Sequence, residues 1–235
     1  MSLQFLELAL SSDDVLADLR GYEALGFTEL TVTDAWSHGY AAMTDGQIVI
    51  GLHARDASIP TPIFVSPDVA GTALKLADTQ QLQILNIDED HFHHVRMEDR
   101  DGFALMYVEA RTFSPSNEHA SASLGTLFEW TLPVRDAIAA AQFWAPRSTH
   151  ALAALDEPRA HLRFDIGGLP LALSEICAGR SPVLCYRVED VATLGITLDQ
   201  RGLALAPCRT GLPGCIGILE APGGLTMAFF ERDFS

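Results

Sequence analysis

Met97-Glu98-Asp99-Arg100-Asp101-Gly102-Phe103-Ala104-Leu105-Met106-Tyr107-Val108 is the stretch that decides the fold. An acidic turn ending in Asp-Gly separates two strand-like runs. A tight hairpin turn demands positive φ, which glycine adopts without a Cβ clash. An earlier copy reads Thr44-Asp45-Gly46-Gln47-Ile48-Val49-Ile50-Gly51-Leu52-His53-Ala54-Arg55. With the Asp-Gly pairs superposed, Ala54-Arg55 falls on Ala110-Arg111 and Ile50 on Met106. Glu220–Phe229 and Phe164–Ala172 are looser copies. Four hairpins at similar spacing predict an internally repeated protein.

Working outward, each hairpin is preceded by a strand and a helix. Gln4–Leu10 reads as a strand, with Leu6, Leu8 and Leu10 on one face and Phe5, Glu7 and Ala9 on the other. Ser11, Ser12 and Asp13 are the N-cap candidates for a helix carrying Val15, Leu16, Leu19, Tyr22 and Leu25, with Gly26 suited to its C′ position. A strand over Thr28–Thr33 and the first hairpin complete the unit. The second unit opens at Ile63–Val65. Ser66-Pro67-Asp68 predicts a helix start with Ser66 as N-cap, and strands follow near Leu82–Ile87, Phe92–Met97 and Phe103–Ala110. Thr112–Gly125, poor in apolar residues, is the join. Domains are therefore expected at 1–118 and 119–235. The order repeats after it, with helices at Asp136–Ala145 and Val191–Arg201.

The bulk numbers exclude some partners. The chain has 235 residues, of which 48% are hydrophobic, enough for a buried core, and a net charge of −16. Nucleic-acid phosphates require a basic surface, so a nucleic-acid partner is not expected, and an anionic membrane is disfavoured too. There is no basic n-region at the N-terminus and no run of about 20 apolar residues, so a cytoplasmic location is expected. The four cysteines, Cys177, Cys185, Cys208 and Cys215, form no C-x-x-C pair. Free, mostly buried thiols are the expectation.

Gly21-Tyr22-Glu23-Ala24-Leu25-Gly26-Phe27, Glu98-Asp99-Arg100-Asp101-Gly102-Phe103 and Arg187-Val188-Glu189-Asp190-Val191 carry a resemblance. They are similar to the helix end, acidic turn and strand-to-helix step of the vicinal oxygen chelate superfamily, which includes glyoxalase I, bleomycin-resistance proteins and extradiol dioxygenases. The resemblance implies an α+β fold of four tandem βαβββ modules forming two cupped, partly open β-barrels, each with a ligand cavity. It also implies metal-ligand slots on the first and last strand of each module. These fall at Glu7, Ile50, Thr61 and Met106 in the first half, and at Glu129, about Ala172, Val183 and Ala228 in the second. Each half then offers one carboxylate, where a first-row divalent ion needs roughly three or four donors. The expectation is no metal and no other cofactor.

Glu7 and Glu129 occupy matching places, where a carboxylate could accept ligand hydrogen bonds or act as a general base. His38 and Tyr40 lie on the loop into the third strand. Phe5, Trp36, Tyr40 and Met106 could wall a cavity for an aromatic ligand. The expected ligand-binding set is thus Phe5, Glu7, Trp36, His38, Tyr40, Met106 and Glu129. On a strand, His91 and His93 share one face and His94 takes the other, a spacing that would suit a metal or a polar strand edge. No phosphate loop or G-x-S-x-G elbow occurs. The expected function is binding of a small, partly apolar molecule in a cup, with a homodimer as a possible assembly. One alternative is a metal-dependent lyase, isomerase or dioxygenase with a non-standard site at Glu7, Glu129 or His91–His94. Another is a degenerate half serving as an interaction surface.

Overall fold

Short apolar runs closed by Asp and Gly turns build two eight-stranded mixed sheets, one per half of the chain. The computed structural model describes residues 3–32, 36–54, 60–72, 82–88, 91–109, 124–148, 150–155, 160–177 and 181–231. In the first half, β1 (Gln4–Ser11), α1 (Val15–Leu25), β2 (Thr28–Leu30), β3 (Tyr40–Thr44) and β4 (Val49–His53) form one module. β5 (Thr61–Ser66), β6 (Leu82–Asp88), β7 (His91–Glu98) and β8 (Ala104–Glu109) supply the strands of the next. The second half repeats the order. β9 (Thr126–Pro133), α2 (Ala137–Trp144), β10 (His150–Leu155), β11 (His161–Ile166) and β12 (Leu169–Ser174) precede β13 (Val183–Val188), α3 (Val191–Asp199), β14 (Ala206–Pro207), β15 (Cys215–Ala221) and β16 (Leu225–Glu231).

The sheet orders are β2-β3-β4-β1-β5-β8-β7-β6 and β10-β11-β12-β9-β13-β16-β15-β14. Modules join through antiparallel β1–β5 and β9–β13 pairs, while β4 and β12 run parallel to β1 and β9. The end strands of each sheet do not pair with each other, so each sheet is an open cup. The four-module α+β architecture expected from the hairpins is the one observed. The join at 118/119 lies outside the described residues.

Each module enters its helix through an aspartate. Asp14, Asp136 and Asp190 are N-caps whose carboxylates accept backbone N–H groups two or three residues on. Asp68 accepts from the Gly71 N–H at 2.7 Å as a helical turn begins at Val69. The caps are therefore not at Ser11, Ser12, Asp13 or Ser66. Ser12 and Ser66 sit two residues before Asp14 and Asp68 and are buried, and Ser12 donates to Asp18 at 2.6 Å. Gly26 does end α1 in the left-handed region, φ 94°.

One apolar core runs under the helices of both halves, from Leu8, Leu10, Ile50 and Leu52 to Trp130, Leu132, Tyr186 and Phe229. The cup faces carry separate clusters: Ala9, Ile63, Met106 and Val108 in the first, and Val183, Cys185, Ile218, Ala228 and Phe230 in the second. Leu8 and Leu10 pack under the helix as expected, but Leu6 and Phe5 are exchanged. A register shift between Phe5 and Glu7 turns Leu6 to the cup and Phe5 to Phe64 in the helix-side core, ring centroids 5.8 Å apart. The same shift recurs in β9, where Phe128 faces the cup and Leu127 the core.

The halves are clasped by hairpin tips. Asp45 accepts the Gln47 and Ile48 N–H groups with one oxygen and the Tyr186 hydroxyl, 2.9 Å, with the other. Asp99 accepts the Asp101 and Phe103 N–H groups and, at 2.9 Å, the Trp144 indole N–H. Tyr22 donates in turn to the Pro222 carbonyl at the fourth tip, 3.0 Å. The acidic turn that marks the repeat is thus also its interdomain joint. Cys208 and Cys215 form a disulfide, which corrects the expectation of four free thiols. The loop between them folds back so that their Cα atoms lie 5.9 Å apart, within disulfide reach. Cys177 and Cys185 are buried thiols outside the disulfide.

Candidate functional site

The first cup is organised around Glu7, which is fully buried. Its carboxylate lies flat against β4 at Gly51, where an added Cβ would come within 2.5 Å of Oε2. Glycine is required there by close approach. Tyr40 donates its hydroxyl to Oε2, and His53 Nε2 lies 3.0 Å from Oε1. His53 Nδ1 lies 2.9 Å from His38 Nε2. With Glu7 accepting at both oxygens, His53 carries its proton on Nε2 and accepts at Nδ1 from His38; this tautomer follows from the network. Burial first, then the charge and hydrogen bond of Glu7, push the Tyr40 hydroxyl far above the usual tyrosine range, so it remains a donor; a hydrogen bond from Trp36 opposes this. Trp36 closes the arrangement, edge-on to His53 at 5.0 Å and tilted against His94 at 5.0 Å. Ile63, Met106, Val108 and Ala9 supply the apolar wall on which Trp36 packs.

The sequence-derived candidates divide accordingly. Glu7, Trp36, His38, Tyr40 and Met106 come together in one cup. Phe5 does not join them, for the register reason above. Glu129 stands in the other cup. Ile50 is not a cup residue: parallel pairing sets it beside Leu8 in the helix-side core, and Gly51 takes the cup face. His94 faces the Trp36 wall, while the side chains of His91 and His93 lie outside the described residues. His53 was missed. It shares parity with Gly51 on β4, so counting from Gly46 with the correct register would have found it.

The second cup repeats the motif with other partners. Glu129, 3% exposed, accepts from Arg163 Nε at 2.7 Å and from the Thr131 hydroxyl at 2.8 Å, with His161 Nε2 at 3.3 Å. Burial alone would raise the Glu129 carboxyl, but His161, Arg163 and Thr131 outweigh it and hold the carboxyl below its ordinary value. Burial pushes the neighbouring Cys185 thiol well up, with the Glu129 charge adding to it. Leu212, from the loop closed by the disulfide, packs into this cup with Cys177 and Ile218.

As the side chains stand, the Glu7 and Glu129 carboxylates of the two cups are engaged within the protein. In the first cup both Glu7 oxygens and both His53 ring nitrogens are already hydrogen-bonded, to each other, to Tyr40 and to His38, and the second module contributes His94, set against Trp36, with Thr61, Ile63 and Met106. In the second, the Arg163 guanidinium already stands as the cation against Glu129. Among the described residues no group of three or more His, Cys, Asp and Glu side chains is placed to hold a metal ion. No described helix is long and apolar enough to cross a membrane.

No family model matches the chain, and no curated protein matches its sequence. Solved structures do match. The halotolerant catechol dioxygenase BphC is 14% identical, covers 97% of this chain and 86% of its own, and superposes with a TM-score of 0.59. Homoprotocatechuate 2,3-dioxygenase from Brevibacterium fuscum, as a single-residue mutant, is 12% identical, covering 98% of this chain and 71% of its own, TM-score 0.63. The Mn(II)-bound glyoxalase from Novosphingobium aromaticivorans is 13% identical, covering 97% and 82%, TM-score 0.59. With four βαβββ modules, two open cups and these likenesses together, the chain has the vicinal oxygen chelate fold in its two-domain form.

Proposed function

We propose that the first cup binds a small, partly apolar molecule without a metal ion. The observation that carries this reading is the hydrogen-bonded chain Trp36, Tyr40, Glu7, His53 and His38, buried at Glu7 and His53 and partly open at the other three, set against an apolar wall. Ligand sites of this kind combine an apolar lining with a few converging polar groups. Here Glu7 fixes the orientations of Tyr40 and His53, and the Trp36 ring offers a face for stacking. The matched glyoxalase is Mn(II)-bound, and among the described residues of this chain no group of three or more His, Cys, Asp and Glu side chains is placed to hold such an ion.

The run Glu7···His53···His38 favours a second reading, proton transfer. A proton taken up by His38 passes to His53, whose imidazolium the buried carboxylate stabilises. This would make the cup a metal-independent acid–base site.

The test is a calorimetric screen of small aromatic and alicyclic compounds against protein dialysed with chelator. Binding that survives chelation and weakens about tenfold or more in Trp36→Ala and in Glu7→Gln is expected. Binding seen only after loading with Mn(II) or Fe(II), and lost in Glu7→Gln, would overturn the metal-free reading. Turnover of a bound compound that falls in His38→Gln while its Kd holds would select the second reading.

A further inference from the structure

Matched positions in the two cups differ in one concerted way. Arg187 pairs with Thr126 and Phe230 across the sheet, as Val65 pairs with Gln4 and Val108. Arg163 lies opposite Ala172 on the cup face, as Ala42 lies opposite Gly51. Phe128 occupies the bulge where the first half has Leu6. The first cup therefore carries Leu6, Ala42, Val65 and Val108 where the second carries Phe128, Arg163, Arg187 and Phe230. The fold is built without guanidinium groups at these places in one half, so it does not demand them in the other.

In the second cup these four residues touch. The Arg187 guanidinium lies 4.7 Å from the Phe128 ring centre and that of Arg163 5.9 Å from it. Phe230 meets Phe128 edge-on at 5.3 Å. Arg163 spends its Nε–H on Glu129, leaving its terminal nitrogens for another acceptor. Arg187 is exposed, and among the described residues it has no hydrogen-bond or ion-pair partner, in a chain of net charge −16. On so acidic a protein, this cation beside a second guanidinium and two aromatic rings presents converging N–H donors suited to an anionic acceptor. The His161 Nδ1 atom behind Glu129 is buried with no hydrogen-bond partner, so this cup also holds an unsatisfied polar atom in its interior.

We propose that the rim of the second cup binds a small aromatic carboxylate. Arg187 and the terminal nitrogens of Arg163 receive the carboxylate, since guanidinium forks match its geometry, and Phe128 and Phe230 receive the ring. The site is separate from the Trp36 cup and does not depend on the function proposed for it.

Calorimetric titration with benzoate tests this, with benzyl alcohol as the uncharged isostere and inorganic phosphate as the bare oxyanion. Benzoate is expected to bind, to weaken with added salt, and to weaken about tenfold in both Arg187→Val and Arg187→Gln, the loss of one charge-assisted contact. Phe128→Leu, the first half's own residue, should weaken benzoate as well, and Trp36→Ala should leave it unchanged. Absence of benzoate binding overturns the proposal. So does equal binding of benzyl alcohol, binding no tighter than that of phosphate, or binding that survives both Arg187 variants. Loss in Trp36→Ala with retention in Arg187→Gln would assign the ligand to the first cup and overturn it equally. Far-UV circular dichroism confirms folding, and Arg187→Gln stands in if the valine variant fails to fold.

Discussion

Removing the Tyr186 hydroxyl should loosen the joint between the halves by a predictable amount. Tyr186 and Asp45 are both fully buried, and the hydroxyl donates to Oδ2 at 2.9 Å. Burial, then the Asp45 charge, keep that hydroxyl far above the usual tyrosine range, so it is a donor throughout. Tyr186→Phe keeps the ring, which stacks on Phe229 at 6.1 Å, and opens no large cavity. What is lost is one hydrogen bond to a carboxylate, and Oδ2 stays buried without its donor. That loss is worth about 1.5–3 kcal/mol. For a chain of this size it lowers Tm by about 2–4 °C per kcal/mol. Urea unfolding should show a lower midpoint with an unchanged slope. A double-mutant cycle with Asp45→Ala should return a coupling of similar size. A loss below about 0.5 kcal/mol, or additivity in the cycle, would refute the view that this bond joins the halves.

Other perturbations have expected outcomes too. Burial raises the Asp99 carboxyl despite the indole N–H of Trp144 and the backbone donors at Phe103 and Asp101. A raised carboxyl contributes stability that is present below its unfolded value and lost as pH rises through the folded value; Trp144→Phe removes a donor, so its penalty should be larger at neutral than at acid pH in chemical denaturation. Glu129 has the opposite sign: its carboxyl is lowered, so its contribution is present above the ordinary carboxylate range and lost as pH falls through the folded value. Glu129→Gln should flatten the acid limb of the stability profile. Gly51→Ala would drive a methyl to 2.5 Å from the Glu7 carboxylate, costing about 1–3 kcal/mol and weakening any first-cup ligand, as read by unfolding and calorimetry. Reducing the Cys208–Cys215 bridge, which closes a loop of sequence separation 7, should cost about 2.5 kcal/mol on the chain-entropy estimate, measured by unfolding with and without reductant.

The repeat was legible because its cause is local. A glycine-bearing hairpin tip and a polar helix start are each written in adjacent residues, and four hairpins in order leave few alternative topologies, although the capping aspartates Asp14 and Asp68 lie just beyond the residues expected to cap. The faces of β1 were only half legible. Leu8 and Leu10 alternate as a strand should, but the bulge between Phe5 and Glu7 leaves no mark, since Leu6 and Phe5 are both apolar and suit either side. The same blindness hid His53. One residue of register separates Ile50, in the core, from Gly51, in the cup, and a parallel β1–β4 pairing is not encoded at the hairpin. Asp99 read as turn chemistry, which it is. Its second role, receiving Trp144 from 45 residues further on, is long-range and invisible to any window.

The clasp has a consequence for the autonomy of the halves. Tyr186 and Trp144 reach from the second half into the first half's tips, and Tyr22 reaches back to the fourth. A single half made alone would present Asp45 and Asp99, or the Trp144 indole and Tyr186 hydroxyl, with their partners missing and the shared core laid open. The two pieces, cut at the join and expressed together, should instead recognise each other as complementary subunits. The covalent join then acts chiefly as a tether that raises the local concentration of one piece near the other.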